Sequence, residues 1–412
     1  MALRTPDVVV IGGGPAGAAA AALIAQAGYE VDIYERETFP RFAVGESLIP
    51  AVNLTLERLG VLGEMDRRGF TRKHAVQFYT AKGPGRPFYF SEVEDPRMHH
   101  TWQVLRSDFD AMLLDHAALA GAHVHAQTQV LDAVEDADGI SGVRVRHHDG
   151  TESAVPARAV VDASGQQSLL ARRFGRTHIE GLENTAVYAH FHDVRLDSGI
   201  DAGSTLIYRL NRRSWLWLIP VPGAVSIGLV APAQGISSYG PTPEAILTAA
   251  IAASPDLQER MRNAQRATPV RAARDFSYRA NCDGGAGWLL IGDSLGFIDP
   301  IYSTGLFLSM RSAEIGAAAV IDGLRDERPR GEFAGFSAEY QKAFDRFLVL
   351  VDAYYDEQFG FGDFARDPQH RQGLVDLLTG VVDTHAAGTV ANALRARHTN
   401  GTEKPHRAPS PS

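Results

Sequence analysis

From Val8 to Tyr29 the chain carries no charged residue, and its apolar run is cut once, by Gly12-Gly13-Gly14-Pro15. Asp7–Ile11 is a short, mostly β-branched run, which predicts a parallel strand buried on both faces. Pro15 to Gly28 is alanine-rich and ends on glycine, so a helix with a glycine stop is predicted there. Tyr29–Tyr34 predicts a second strand, completing a βαβ unit with Glu35 about 20 positions after the glycines. The uncharged stretch matches the roughly 20 residues of a membrane span, but the glycine break and the single basic residue ahead of it, Arg4, oppose a span or signal. Helices are predicted near Ile49–Leu59 and from Ser107 to about Leu119. Strands are predicted around Ala75–Tyr79, Pro87–Phe90, Trp102–Leu105 and Ala159–Asp162, with Val124–Val145 as short strands around Asp138-Gly139. The middle third alternates: Ala186–Val194, Ser204–Tyr208, Ser214–Pro220 and Ala224–Val230 predict an antiparallel sheet turning at Pro222-Gly223. Gly287–Ile291 is a last buried strand. Two more helices are predicted, from about Thr304 to Gly323 and over Ala338–Phe359, the second with an apolar stripe through Phe344, Phe347, Val351 and Tyr354.

These elements predict an α/β protein: a Rossmann-like βαβ domain, an inserted antiparallel β-sheet substrate domain and a helical C-terminal segment. The expected division is 1–180 for the first domain with inserted strands, 181–280 for the sheet and 281–325 for the return. Residues 326–398 are expected to be helical and 399–412 to be a disordered, proline-containing tail.

Composition narrows the chemistry. Among 412 residues there is one cysteine, Cys282, which excludes an intrachain disulfide or a CxxC zinc or redox site and suits a cytoplasmic location. Forty basic against 49 acidic residues give a net charge of −9, against a general nucleic-acid or anionic-membrane partner. Lysine occurs only at Lys73, Lys82, Lys342 and Lys404, leaving 36 arginines, so amine-specific chemistry has few places to reside. His123/His125 and His190/His192 have same-face strand spacing, but no third ligand is in pattern, so no metal is expected. His190 and His192 are in place to touch a substrate hydroxyl instead.

Gly12-x-Gly14-x-x-Gly17 lies between a strand and a helix, the context that gives this motif meaning. Gly12 permits the tight turn, Gly14 lets backbone approach a pyrophosphate beside Pro15 and Ala16 at the helix start, and Gly17 allows helix–strand packing. Glu35 is placed to hold an unphosphorylated ribose, with Arg36 beside it. No second fingerprint for NAD(P)H is present. Gly292-Asp293 instead ends the last strand, where an aspartate can hold a polyol hydroxyl. One dinucleotide held at both ends makes the βαβ domain FAD-binding.

With Arg106 in Leu105-Arg106-Ser107-Asp108-Phe109-Asp110, and with Asp162-Ala163-Ser164-Gly165, these motifs resemble the aromatic-hydroxylase class of FAD proteins, which includes geranylgeranyl-type reductases. Within it the chain most resembles the flavin-dependent halogenases, over about residues 5–360. The resemblance rests on Pro40-Arg41-Phe42-Ala43-Val44-Gly45-Glu46-Ser47-Leu48, Gly69-Phe70-Thr71-Arg72-Lys73, Trp215-Leu216-Trp217-Leu218-Ile219-Pro220 and Phe297 to Gly305. The third stretch matches the family's WxWxIP pattern without a gap. The short C-terminal part resembles the compact phenol and pyrrole branch, whose substrates are often tethered to a carrier protein.

The resemblance implies an enzyme that uses reduced FAD, oxygen and chloride or bromide to make hypohalous acid for electrophilic halogenation of an electron-rich phenol or pyrrole, free or carrier-tethered. FADH2 would come from a separate flavin reductase. Thr304 and Gly305 would offer N–H donors to the halide at a helix start, with Pro300 shaping the turn. Trp215 and Trp217, two apart on a strand and so on one face, would wall off an interior passage. Lys73 would take the halogen or hydrogen-bond hypohalous acid, because a buried amine can lose its proton and arginine cannot. Glu46 is a catalytic helper, Glu46 and Ser47 would line the flavin or the passage, and Arg41, Ser47, Arg106 and Asp162 fall among the flavin-binding residues. Two other readings stay open: an FAD-dependent aromatic monooxygenase or geranylgeranyl-reductase-like oxidoreductase, and a non-catalytic flavin-binding protein.

Overall fold

A computed structural model of the chain describes residues 5–325, 332–356, 364 and 366–402. The uncharged N-terminal run folds as its pattern requires. Strand β1 (Val8–Ile11) is enclosed on both faces, helix α1 (Pro15–Gln26) starts at Gly14 with proline in its first turn, and β2 (Val31–Tyr34) returns parallel to β1. Ala159–Asp162 pairs parallel with the other side of β1, and Trp288–Leu290 pairs parallel with it in turn. A parallel sheet with both faces covered explains why these strands show no alternation.

The second layer is a ten-stranded sheet. The strand Arg176–His192 forms its long axis, paired antiparallel with Arg271–Ala280 and with Ala224–Pro232. Ala224–Pro232 pairs with Trp215–Val221, which pairs with Thr205–Arg209. Beyond these, Ala75–Thr80 joins parallel to Thr205–Arg209, so a strand from the N-terminal third completes a sheet otherwise built from the middle of the chain. One continuous apolar core lies under both sheets, and a smaller one lies under the helices Pro243–Ala252 and Pro255–Arg260.

Three short segments form a patch apart from the two large sheets. In it, β3 (Thr71–Lys73) pairs antiparallel with Thr101–Gln103. The other edge of Thr101–Gln103 holds residues 46–48 through Leu48 N–H to Trp102 O (3.1 Å) and Val104 N–H to Glu46 O (2.8 Å).

The helix Gly305–Arg325 packs against α1, and Ala338–Tyr355 packs against Gly305–Arg325. Ala338–Tyr355 stops short of Phe359, which lies outside the described residues. The last helix, His385–Thr402, runs into the segment whose composition suggested a disordered tail. The remainder of that tail, 403–412, lies outside the described residues. Among the described residues no helix is long and apolar enough to cross a membrane.

Candidate active site

A cavity of about 540 Å3 runs from the β1–α1 turn to the start of the helix Gly305–Arg325. Gly12, Gly14, Pro15 and Ala16 line one end, with Glu35, Arg36 and Arg41 beside them. Gly12 has φ +98°, and a Cβ there would stand 2.6 Å from Ala163 O, so the tight turn and the close approach both demand glycine. The first helical bond of α1 runs from Ala18 N–H to Gly14 O, leaving the Ala16 N–H outside the helical ladder at the positive dipole end. Glu35 is held from both sides, accepting Gly13 N–H at 2.8 Å and Glu37 N–H at 2.9 Å.

Gly292 and Asp293 line the middle of the cavity. Desolvation pushes the Asp293 carboxyl up to about 6 against the opposing pull of Arg106. Arg106 pairs bidentately with Asp110 (2.7 and 2.9 Å) and donates to Val44 O at 2.6 Å and Gly45 O at 3.3 Å. It thereby ties down the loop that presents Phe42, Val44, Glu46 and Ser47 to the cavity. Arg41 stands 3.6 Å from the same carboxylate.

At the far end, Trp215, Trp217, Pro300, Ser303 and Gly305 line the wall. The two indoles share one face, as their spacing requires, with ring centres 6.0 Å apart. Each N–H is pinned, Trp215 to the Tyr355 hydroxyl (2.9 Å) and Trp217 to Ser226 Oγ (3.1 Å). Tyr355 in turn donates to Asp299 Oδ2 at 2.9 Å, which also accepts from Asn184 at 2.6 Å. The loop before the helix is thus fastened to the tryptophan strand. Thr304 is buried, and its Oγ1 has no hydrogen-bond partner among the described residues.

Lys73 is wholly enclosed at the end of β3. Its Nζ donates to Ser47 Oγ at 2.8 Å and to Leu48 O at 2.9 Å. Neither partner is charged, and burial lowers the amine from 10.5 to about 7. The cavity wall at this point is formed by Ser47 and Thr205, and the amine lies behind Ser47. Glu46, at the same wall, takes a 2.6 Å hydrogen bond from or to His190 Nε2.

Two expected flavin-binding residues lie off the cavity, and neither Thr304 nor Lys73 is part of its lining. Asp162 does not line the cavity: its carboxylate accepts Ser164 N–H (2.9 Å) and Leu170 N–H (2.7 Å), holding the Ala163-Ser164-Gly165 loop that does. Bonding the backbone of the loop behind the lining, this acid shapes a turn. Gly17 is also off the cavity, because its site abuts Gly12 O, 2.0 Å from where a Cβ would be. His192 is exposed and bonds Gly223 O at 3.0 Å, apart from the buried pair of His190 and Glu46. Sequence reasoning missed Thr205, Gln103 and Asn184, whose contacts here span more than 100 residues.

The residues present fit FAD: a glycine, Gly12, that admits no Cβ at the phosphate end, an acid at the ribose position, and a desolvated aspartate midway. When bound in reduced form, that cofactor supplies, with oxygen, the two-electron oxidation of halide to hypohalous acid. Gly12→Ala is expected to fail to retain FAD on gel filtration and to lower the unfolding midpoint of the FAD-free protein. Backbone strain at such a φ alone costs about 1–3 kcal/mol.

Comparison with known proteins carries this further. The FAD binding domain family matches residues 5–328. A 1H-pyrrole-2-carbonyl-[peptidyl-carrier protein] brominase of Pseudoalteromonas luteoviolacea is 32% identical over 386 residues, covering 92% of each chain. The corresponding chlorinase of Pseudomonas fluorescens is 28% identical over 402 residues, covering 91% of this chain and 89% of its own. Among solved structures, the flavin-dependent brominase Bmp2 superposes with a TM-score of 0.87 at 28% identity, over 97% of this chain and 99% of that one. The myxobacterial chondrochloren halogenase gives 0.80 at 28% identity, over 95% and 97%. These relatives are halogenases, not the hydroxylases, reductases or non-catalytic flavin binders that the motifs alone left open. Agreement nearly from end to end, in sequence with enzymes that halogenate and in backbone with their solved structures, makes this chain a flavin-dependent halogenase.

Proposed function

We propose that this halogenase chlorinates or brominates an electron-rich pyrrole presented on a carrier protein, and that Lys73 is the amine receiving the halogen. The observation that carries the reading is the enclosed Lys73 amine, bonded among the described residues to a hydroxyl and a carbonyl and to no carboxylate. An amine in that state can accept a halogen, whereas an ion-paired lysine cannot. The pyrrole and its tether are supported by the names of two relatives that match most of the chain. A separate flavin reductase supplies reduced FAD, because one dinucleotide fingerprint leaves no place for a nicotinamide. A single, unpaired cysteine fits a cytoplasmic location.

The residues divide the work. Backbone N–H groups at the start of Gly305–Arg325 hold chloride or bromide at the positive dipole end, beside the buried Thr304 hydroxyl. Trp215 and Trp217, fixed through their N–H groups, keep the organic substrate away from the dinucleotide and water away from the passage. Lys73 holds the electrophilic halogen until an aromatic carbon takes it.

The test pairs the enzyme with a flavin reductase, FAD and either halide, and offers pyrrole-2-carbonyl thioester on a carrier protein or the free acid. Mass spectrometry is expected to show halogen on the carrier-bound pyrrole alone. Equal halogenation of the free acid would remove the tether from the proposal, and halogenation of phenols but neither pyrrole would remove the substrate class.

A further inference from the structure

Lys73 does not reach the cavity directly, and the group between them is a hydroxyl with a defined set of neighbours. Ser47 Oγ lies 2.8 Å from Lys73 Nζ on one side and 3.1 Å from Thr205 Oγ1 on another, and both Ser47 and Thr205 line the cavity. Thr205 Oγ1 in turn accepts from Gln103 Nε2 at 2.8 Å. Gln103 Nε2 also donates to Gly203 O at 3.1 Å. A carbonyl oxygen can only accept, so the amide nitrogen must face Gly203 and Thr205. Thr205 Oγ1 accepts from that amide and shares a hydrogen bond with Ser47 Oγ in which either hydroxyl can donate. In the arrangement where Thr205 donates, Ser47 Oγ accepts from both Thr205 and Lys73, and its own proton faces the cavity. Leu48 O, the other partner of the amine at 2.9 Å, fixes its position but has no proton to give.

We propose that Ser47 is the positioning residue through which Lys73 exchanges protons with the cavity, its hydroxyl aimed there by Thr205 and Gln103. This rests on the reading of Lys73 as the halogen-accepting amine. In the loading step the amine nitrogen bonds to halogen as the oxygen–halogen bond of hypohalous acid breaks. One amine proton passes to Ser47 as Ser47 gives its own to the departing oxygen, so the products are a haloamine and water. In the transfer step the halogen leaves nitrogen for an aromatic carbon. The proton lost by that carbon returns to the amine by the same hydroxyl, regenerating Lys73.

The local fold is built for this. Residues 46–48, Thr101–Gln103 and β3 lie side by side, so Ser47, Gln103 and Lys73 are set by backbone pairing.

Two measurements test it. In the FAD-free protein, lysine side-chain nitrogens labelled with 15N give at most four signals, from Lys73, Lys82, Lys342 and Lys404. Exchange of the Lys73 amine protons with water is expected to slow at least about tenfold in Ser47→Ala, as expected when a relaying hydrogen bond is removed. A merely structural role would loosen the site and hasten exchange. In the loaded enzyme, Ser47→Ala is expected to form product about 100-fold more slowly, and the share of the hypohalous acid made that a scavenger in solution catches is expected to rise. Ser47→Thr, which keeps a hydroxyl, is expected to restore turnover.

Thr205→Val serves if Ser47→Ala does not fold, and is expected to slow product formation about tenfold by removing the hydrogen bond that aims Ser47. Unslowed proton exchange, or product formation within a few-fold of wild type, overturns the proposal. If Lys73→Met also halogenates normally, the reading of Lys73 has failed. If Lys73→Met is inactive while Ser47→Ala is not, only the role of Ser47 has failed.

Discussion

Lys73→Met is expected to keep FAD binding and halide oxidation while aromatic halogenation falls by about 10²- to 10⁴-fold, the span typical of a lost proton-transferring or nucleophilic side chain. Methionine lacks only the terminal atom of lysine and fills most of the enclosed site, and Lys73 stands behind the cavity lining, so the passage keeps its shape. What disappears is the nitrogen bonded to Ser47 and Leu48. Hypohalous acid made at the far end of the cavity then has no amine to receive it, and a scavenger in solution is expected to record its escape. Lys73→Arg is expected to be as inactive, because a guanidinium keeps its proton throughout the usable pH range. Product formation by Lys73→Met within a few-fold of wild type, with an intact unfolding midpoint, would refute the assignment.

How far the sequence disclosed this site depends on the distance over which each interaction acts. The β1–α1 turn, Glu35 and the tryptophan strand were legible because their determinants are local: positive φ at Gly12, a carboxylate one residue past a strand, two indoles at period two. The burial of Lys73 was not. Thr71-Arg72-Lys73-His74 is polar and reads as a solvated edge. Enclosure comes from Thr101–Gln103 on one side, residues 46–48 beyond it, and Phe90, whose ring centre is 5.4 Å from the amine. Only the family resemblance singled that lysine out. The hydroxyl chain through Thr205 left no trace at all, since serine, threonine and glutamine are unremarkable one by one and meet through three separate segments. Asp162 shows the limit from the other direction: an acid at a strand end suits a ligand, but its oxygens bond the N–H groups of Ser164 and Leu170, two and eight residues on, and it stands behind the cavity lining.

The same amine makes a second, independent prediction, on stability. Its pKa falls from 10.5 to about 7 on folding, so between those values the unfolded chain binds the extra proton and stability rises with pH. Below about 7 both states are protonated and the penalty is constant; above about 10.5 neither is, and it is gone. At about 1.4 kcal/mol per pH unit the full penalty is roughly 5 kcal/mol. Lys73→Met never carries it, though it leaves Ser47 Oγ and Leu48 O without their donor, a loss of about 1–3 kcal/mol. The variant is therefore expected to be the more stable protein at neutral pH, and its advantage to shrink by about 1.4 kcal/mol for each pH unit above 7. Taking the difference between the two proteins in urea cancels the titration of shared groups, including the buried tyrosines. A difference that stays flat from pH 7 to pH 9 would mean that Lys73 remains charged in the fold. It would then be confined to hydrogen-bonding hypohalous acid, because an ammonium has no lone pair to give a halogen. The slope of a stability curve, measured with neither flavin nor halide present, thus separates the two chemical roles open to this residue.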